Sequence, residues 1–384
     1  MIPWSEHCRS SVSEEWLTLA QRLSKITIEG FTSIRSATVE LGALNVLVGA
    51  NGAGKSNFVK ALELLGYLAD GELGLFVGLS GGASALLHDE PGSTARISLE
   101  LGAGLNSYKA VLRPGSRDDL IFDGEYIGYD GFMNSFSVNL GRGHRESLLG
   151  EEIGQRGQSS VAGYVAEILN GCRVYHFHDT SSTAPVKRNA FVSDSEALHA
   201  DAANLAPFLL RIREGHPQHY RRVVSSIKQV APFFREFVLE PEASTDRISL
   251  RWRQEGSETV LPANAFSDGT LRFVCLSALL LQPDLPALVV LDEPELGLHP
   301  FAIVQLAEML QNASKRSQVL IATQSVTLMN RFLVDDLIVV ERAEGASVFS
   351  RPDPERLEAW LDEYGLGELW EKNLLGGRPG PERL

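Results

Sequence analysis

The sequence predicts an α/β chain with a mixed sheet core, an antiparallel β meander and a helical subdomain. Three observations predict it. Short, nearly all-apolar runs alternate with helical patterns near both ends of the chain, as in sheets buried on both faces. Residues 95–130 carry apolar–polar alternation broken by Gly, Asp and Pro turns. Residues 195–231 repeat apolar side chains at helical spacing.

In chain order, residues 1–22 read as a polar N-terminal extension, with a helical stretch around Glu14–Leu23. A main unit spans 23–345, and a tail spans 346–384. Ile26 with Ile28, Val39 with Leu41, and Asn45-Val46-Leu47-Val48 predict three short strands leading into a glycine-rich loop. Phe58-Val59, Leu62, Leu64-Leu65 and Leu68 then share one side of a helix. Residues 91–262 hold the meander and the helical subdomain. Ile97-Leu99-Leu101, Tyr108-Ala110-Leu112 and Leu120-Phe122 form the meander, and 141–160 reads as a mobile loop. A helix at 161–170 and a strand at 173–178 follow. Two amphipathic helices line up Leu198, Leu205, Leu209 and Ile212, then Tyr220, Val223, Val224, Ile227 and Val230. A strand pair covers 236–252. Helices at 270–281 and 301–314 alternate with strands at 287–291, 318–323 and 336–341, and the tail from 352 on is acidic and partly helical. Neither an internal repeat nor a sustained heptad array occurs, so a long coiled-coil arm is not expected.

The 384 residues carry 35 Lys and Arg against 49 Asp and Glu, a net charge of −14. Such a chain repels a nucleic-acid backbone at long range, so DNA contact would need a local basic patch or a basic partner. The three cysteines, Cys8, Cys172 and Cys275, form no CxxC pair, which argues against disulfides and thiolate zinc sites and for a reducing cytoplasm. Glu6, Glu14 and Glu15 exclude a secretory signal at the N-terminus, and the longest apolar runs are too short to span a bilayer. A cytoplasmic chain without a membrane partner is expected.

Four segments carry chemistry. Gly49-Ala50-Asn51-Gly52-Ala53-Gly54-Lys55-Ser56 fits GxxxxGK[ST], with a strand before it and a helix after it, and these residues with Asn57 are the candidate nucleotide-binding set. The glycines let successive N–H groups point at phosphate oxygens, and the helix N-terminus adds positive potential. Lys55 can reach the β- and γ-phosphates of a nucleotide, and Ser56 can ligate Mg²⁺. Ala287-Leu288-Val289-Val290-Leu291-Asp292-Glu293 reads as a buried strand with an acidic tip, a Walker B pattern. Asp292 would hold Mg²⁺, directly or through water, and Glu293 would take a proton from the attacking water. Phe266-Ser267-Asp268-Gly269-Thr270-Leu271-Arg272 precedes a helix and offers a helix-terminus anion site, or simply a good cap. Ile321-Ala322-Thr323-Gln324-Ser325 ends the next strand, and Gln324 could sense the γ-phosphate or position water.

These segments, in this order, resemble the ABC-type ATPases of the SMC, RecF and OLD-like branch. The resemblance runs from Ile26 to about Val340 and includes Ile26-Thr27-Ile28-Glu29-Gly30-Phe31-Thr32-Ser33-Ile34 and Leu291-Asp292-Glu293-Pro294-Glu295-Leu296-Gly297-Leu298-His299-Pro300. The chain is similar to stand-alone bacterial ATPases of this branch that carry no nuclease domain. The resemblance implies an ABC-ATPase head and a head-to-tail homodimer that sandwiches two ATP molecules. Lys55, Ser56, Asp292 and Glu293 would act from one chain; Ser267, Asp268, Gly269 and Thr270 would act in trans as the signature. The signature reads SDGT rather than a double-glycine form, Gln324 stands where many relatives have His, and no Q-loop glutamine stands out.

Weaker signals are Tyr175-His176-Phe177-His178-Asp179, read as a polar loop near the nucleotide rather than a metal site, and His299, close to a dimer interface. Arg142, Arg145, Lys187, Arg188, Arg211, Arg213, Arg221, Arg222 and Lys228 read as solvated helix faces, with a DNA-facing surface as the alternative. Two roles stay open. One is an ATPase engine in a DNA-related process, whether repair, chromosome maintenance or phage defence. The other is an ATP-gated sensor or scaffold for a separate effector such as a nuclease, since only about forty residues follow the last core strand. A transporter subunit fits the signature poorly, and no NKxD-type motif supports a GTPase.

Overall fold

The computed structural model describes residues 22–88, 95–131, 134–361 and 363–377. Most of the helical stretch expected at Glu14–Leu23 lies outside the described residues, although Leu23 itself opens a strand.

The first half of the chain runs β1 (Leu23–Phe31), β2 (Ile34–Glu40), β3 (Leu44–Val48), α1 (Lys55–Asp70), α2 (Leu73–Leu79), β4 (Ile97–Ala103), β5 (Asn106–Pro114), β6 (Leu120–Asp130) and β7 (Ser135–Gly141). Then come α3 (Leu149–Arg156), α4 (Val161–Asn170), β8 (Cys172–Tyr175), β9 (Ala190–Phe191), α5 (Leu205–Gly215), α6 (Pro217–Val230) and β10 (Phe234–Phe237). The last part runs β11 (Arg247–Ile248), β12 (Arg251–Gln254), β13 (Val260–Pro262), α7 (Asp268–Leu280), β14 (Leu288–Asp292), α8 (Pro300–Ser314) and β15 (Gln318–Thr323). It closes with α9 (Val326–Met329), β16 (Leu337–Ala343), β17 (Ala346–Ser350), α10 (Pro354–Leu361) and α11 (Leu366–Glu371). The chain divides into two compact units, Met1–Gly42 with Lys60–Cys172, and Ala43–Val59 with Arg173–Leu384.

The first unit is built on an antiparallel sheet of order β2-β1-β4-β5-β6-β7. Alternation works as the sequence implies. Ile26, Ile28, Leu99, Leu101, Tyr108 and Leu112 are fully or almost fully buried, while Lys25, Glu100 and Arg113 beside them are exposed. Helix α4 covers β5 and β6. The segment expected to be a mobile loop at 141–160 is instead tied down and contains α3. Its anchor is Glu125, fully buried, which accepts the Tyr108 hydroxyl at 2.8 Å and the Ser147 hydroxyl at 2.5 Å. The same carboxylate accepts His144 Nε2 at 3.0 Å and the Leu148 N–H at 2.9 Å. Burial, with Glu125 beside it, pushes the Tyr108 hydroxyl well above the usual tyrosine range.

The second unit carries a mostly parallel sheet of order β17-β16-β3-β15-β14-β8. Its strands LNVLV, LVVLD and QVLIAT bury every residue but the half-buried Asp292, and LIVVERA buries its first four, as a sheet covered on both faces requires. The registers fix the geometry of one sheet edge. Val48 of β3 pairs Thr323 of β15, and Ala322 pairs Asp292 of β14. Helix α8 packs on β15 and β3, and α5, α6, α7 and α8 pack in succession. Leu198, expected on the first amphipathic helix, is buried ahead of α5 rather than on it. The strand pair expected at 236–252 resolves into two small sheets, β10-β12-β13 and β11-β9. Trp252 stacks on Phe266 at 4.3 Å between ring centroids, anchoring the segment that leads into α7.

Candidate functional site

Strands β3, β15 and β14 are parallel neighbours, so their carboxyl ends finish side by side. The glycine-rich loop leaves β3, Gln324 follows β15, and Asp292-Glu293 ends β14. In an open parallel sheet, ligands bind in the crevice outside these ends.

The loop 49–54 needs its glycines. Gly52 and Gly54 hold φ of +77° and +114°, a region that side chains disfavour. A Cβ at Gly49 would lie 2.3 Å from the carbonyl oxygen of Val340. The Ser347 hydroxyl donates to the Ala53 carbonyl at 2.6 Å, and the Ala50 N–H donates to the Gly377 carbonyl at 2.7 Å, so the loop is braced from outside. Asn51, Gly52 and Ser56 face outward, Asn57 is half-buried, and Ala53, Gly54 and Lys55 are buried. Lys55, first in α1, is 5% exposed and donates to the carbonyls of Gly49 at 2.8 Å and Ala50 at 3.0 Å. Burial pulls its ammonium below the usual lysine value, and the charges of Glu293, Asp292 and Glu295 oppose that shift. A buried ammonium that, among the described residues, bonds to backbone carbonyls alone is one that an incoming anion can recruit.

At the acidic tip, Asp292 Oδ1 is buried without a hydrogen-bond partner among the described residues. The carbonyl of Asp292 is held by His178 Nε2 at 2.9 Å. Glu293 takes a left-handed φ of +44°, which costs a non-glycine residue roughly 1 kcal/mol. Its N–H donates to Ala322 O at 2.8 Å, and its Oε1 accepts from Gln324 Nε2 at 2.7 Å. Gln324 Nε2 also donates to Asn51 Oδ1 at 2.5 Å, so Asn51, Gln324 and Glu293 are linked across the three strand ends. No sequence signal announced the strained Glu293 backbone.

Ser267 caps α7. Its Oγ accepts the Thr270 N–H at 3.2 Å and lies 2.8 Å from Thr270 Oγ1, while Asp268 occupies the first turn. A Cβ at Gly269 would lie 2.4 Å from Gly297 O, so the segment Ser267–Thr270 packs backbone to backbone on the loop after the acidic tip. Arg272 ties the two together, donating to Leu296 O and to His178 O, each at 2.8 Å. Sequence reasoning passed over Arg272 and the third acid, Glu295. Glu295, three residues beyond Asp292, accepts the Thr323 hydroxyl.

The residues around His178 act structurally. Asp179 caps the Ser181 N–H at 3.0 Å, which holds its carboxyl below the usual range. His299 caps α8, its Nδ1 accepting the Phe301 N–H at 3.2 Å. Lys187, Arg188, Arg211 and Arg213 donate to backbone carbonyls of their own unit, and Arg145 pairs with Asp119. Among the described residues no group of three or more His, Cys, Asp and Glu could hold a metal ion, and no helix is long and apolar enough to cross a membrane.

Residues 180–330 match the family model described as an AAA domain, putative AbiEii toxin, Type IV TA system; residues 22–70 match the AAA ATPase domain model. A search of curated proteins finds no match. Among solved structures, the Smc head bound to the C-winged helix domain of ScpA is 17% identical, with a TM-score of 0.54 over 88% of this chain and 99% of that one. The Smc head domain with an extended coiled coil bound to the C-terminal domain of ScpA, derived from Pyrococcus furiosus, is 16% identical, with a TM-score of 0.52 over 89% and 99%. At such identities the likeness establishes the fold, a mixed α/β head with its antiparallel sheet.

Proposed function

We propose that the chain is a P-loop protein of the ABC type, SMC/RecF-like in fold, and that it hydrolyses ATP as a head-to-tail homodimer. The observation that carries the ATPase reading is the shared edge of β3, β15 and β14, with a buried Lys55 and an Asp292 oxygen that has no hydrogen-bond partner among the described residues.

The backbone N–H groups of 49–54 and the first turn of α1 receive the phosphates, and Lys55 exchanges the carbonyls of Gly49 and Ala50 for phosphate oxygens. The arriving negative charge holds Lys55 protonated against its burial. Ser56 and Asp292 suit Mg²⁺, which takes one or two carboxylate or hydroxyl ligands and completes its shell with phosphates and water. When bound, that ion neutralises charge on the β- and γ-oxygens. Glu293 accepts a proton from the attacking water, and Gln324 aims Glu293 and the γ-phosphate at each other. Ser267, Gly269 and the N-terminus of α7 cap the γ-phosphate bound to the partner copy.

Phosphate release and nucleotide binding test this. Glu293→Gln is expected to keep ATP affinity and lose about 10²- to 10⁴-fold in kcat. Lys55→Ala is expected to lose binding. A Glu293→Gln protein that turns over like wild type, or a Lys55→Ala protein that binds ATP normally, contradicts the assignment.

The biological process has two readings. The Smc likeness favours an engine in a DNA-related process, repair or chromosome maintenance, with a protein partner such as ScpA is for Smc. The family description over 180–330 favours an ATP-gated role in defence, controlling a separate effector. Stimulation of turnover by duplex DNA supports the first, and DNA-independent turnover supports the second.

A further inference from the structure

The segment Asp292–Glu295 carries three carboxylates, and the proposed reaction uses two. The third, Glu295, is turned inward. Its Oε1 accepts the Thr323 hydroxyl, and its Oε2 is buried without a partner among the described residues. Burial holds this carboxyl above the usual carboxylate range, although the Thr323 hydroxyl and backbone N–H groups oppose the shift. A buried carboxyl with one oxygen unpaired works against folding.

A chain of bonds leads from it to the proposed base. Thr323 Oγ1, while donating to Glu295, accepts the Ser325 N–H at 3.0 Å. The hydroxyl therefore has both roles filled and cannot rotate freely. Between Thr323 and Ser325 sits Gln324, whose Nε2 meets Glu293 Oε1 at 2.7 Å. Glu293 in turn donates its N–H to Ala322 at 2.8 Å. The loop after β14 and the end of β15 thus close a ring of bonds around the Gln324–Glu293 contact.

Resting on the reading of the site given above, we infer that Glu295 is a positioning residue: through Thr323 it fixes the turn that aims the Gln324 amide at Glu293. The role needs an acceptor oxygen and no negative charge. That separates it from a second base or a metal ligand, both of which need the carboxylate.

Steady-state kinetics with Mg-ATP on Glu295→Ala, Glu295→Gln and Thr323→Val test the inference. Glu295→Ala and Thr323→Val are expected to lower kcat about 10²-fold with KM within about twofold, the mark of lost alignment rather than lost binding. Glu295→Gln, which keeps an acceptor, is expected to stay near wild type. Equal loss in Glu295→Gln and Glu295→Ala, or a raised KM at unchanged kcat, overturns it. A readout independent of turnover separates this inference from the ATPase reading. Amide hydrogen exchange over residues 322–326 of the nucleotide-free protein should quicken about 10-fold in Glu295→Ala and not in Glu295→Gln. Unchanged exchange in Glu295→Ala overturns the positioning role even if the wild type proves not to hydrolyse ATP.

Discussion

Lys55 and Glu295 show how burial sets the chemistry of single side chains at this sheet edge. Both sit where the charged form is disfavoured, so both are pulled toward neutrality, the lysine downward and the acid upward. For Glu295 the folded pKa lies above the ordinary 4.5, so the folded chain binds that proton more tightly than the unfolded chain does. The resulting stabilisation is complete below about pH 4.5 and is lost as pH rises through the folded value. Glu295→Gln has no proton to lose. Its melting temperature is expected to match wild type near pH 4 and to exceed it near pH 8. A variant that melts lower than wild type at both values would contradict this. Lys55 behaves in the opposite sense: burial of its charge opposes folding at neutral pH and is relieved only as pH rises toward 10.5. Lys55→Met is therefore expected to raise the melting temperature while abolishing ATP binding, a split that calorimetry with and without nucleotide measures.

At the scale of elements, the parallel strands and amphipathic helices were legible because their burial is one-sided or complete. Val46, Leu47 and Val48, or Val289, Val290 and Leu291, leave no other place for themselves than a sheet covered on both faces. The glycine-rich turn and the acidic tip were legible for the same reason, since each ends such a strand. The elements that escaped lack that contrast. Strand β7, SFSVNLG, is exposed or half-buried throughout, so nothing selects one face. Helix α2 carries Gly74 and Gly78 in an otherwise apolar run, and α3 carries Gly150 and Gly154 in a polar one. Contacts such as Arg272 to Leu296, or Thr323 to Glu295, join residues far apart in sequence, and composition cannot announce them. Backbone contact between α7 and the loop after β14 makes its own prediction. Gly269→Ala would push a methyl into Gly297 O and is expected to cost about 1–3 kcal/mol in chemical denaturation. Ser267→Ala, which removes only a cap, is expected to cost about 1 kcal/mol. Equal stability of Gly269→Ala and wild type would contradict the packing.

At the scale of the molecule, the proposed dimer divides each catalytic site between two copies. The phosphate loop and acidic tip belong to one copy, and the Ser267–Thr270 segment belongs to the other. A closed two-fold arrangement then gives two equivalent sites, and neither is complete in a monomer. In Glu293→Gln, where binding outlasts hydrolysis, ATP is expected to double the mass seen by light scattering, and ADP is not. Lasting monomers under saturating ATP would contradict the dimer.

The most direct test of the account is complementation between two inactive variants. Lys55→Ala lacks a working phosphate loop but keeps its signature segment; Ser267→Arg keeps the loop but blocks the segment. Each alone should be inactive. Mixed in equal amounts, half of the dimers pair one of each, and one of their two sites is built from intact parts. With a site shared between copies, the mixture is expected to recover about a quarter of wild-type turnover. A mixture as inactive as its components, or a Ser267→Arg protein that hydrolyses ATP unaided, would contradict the shared site.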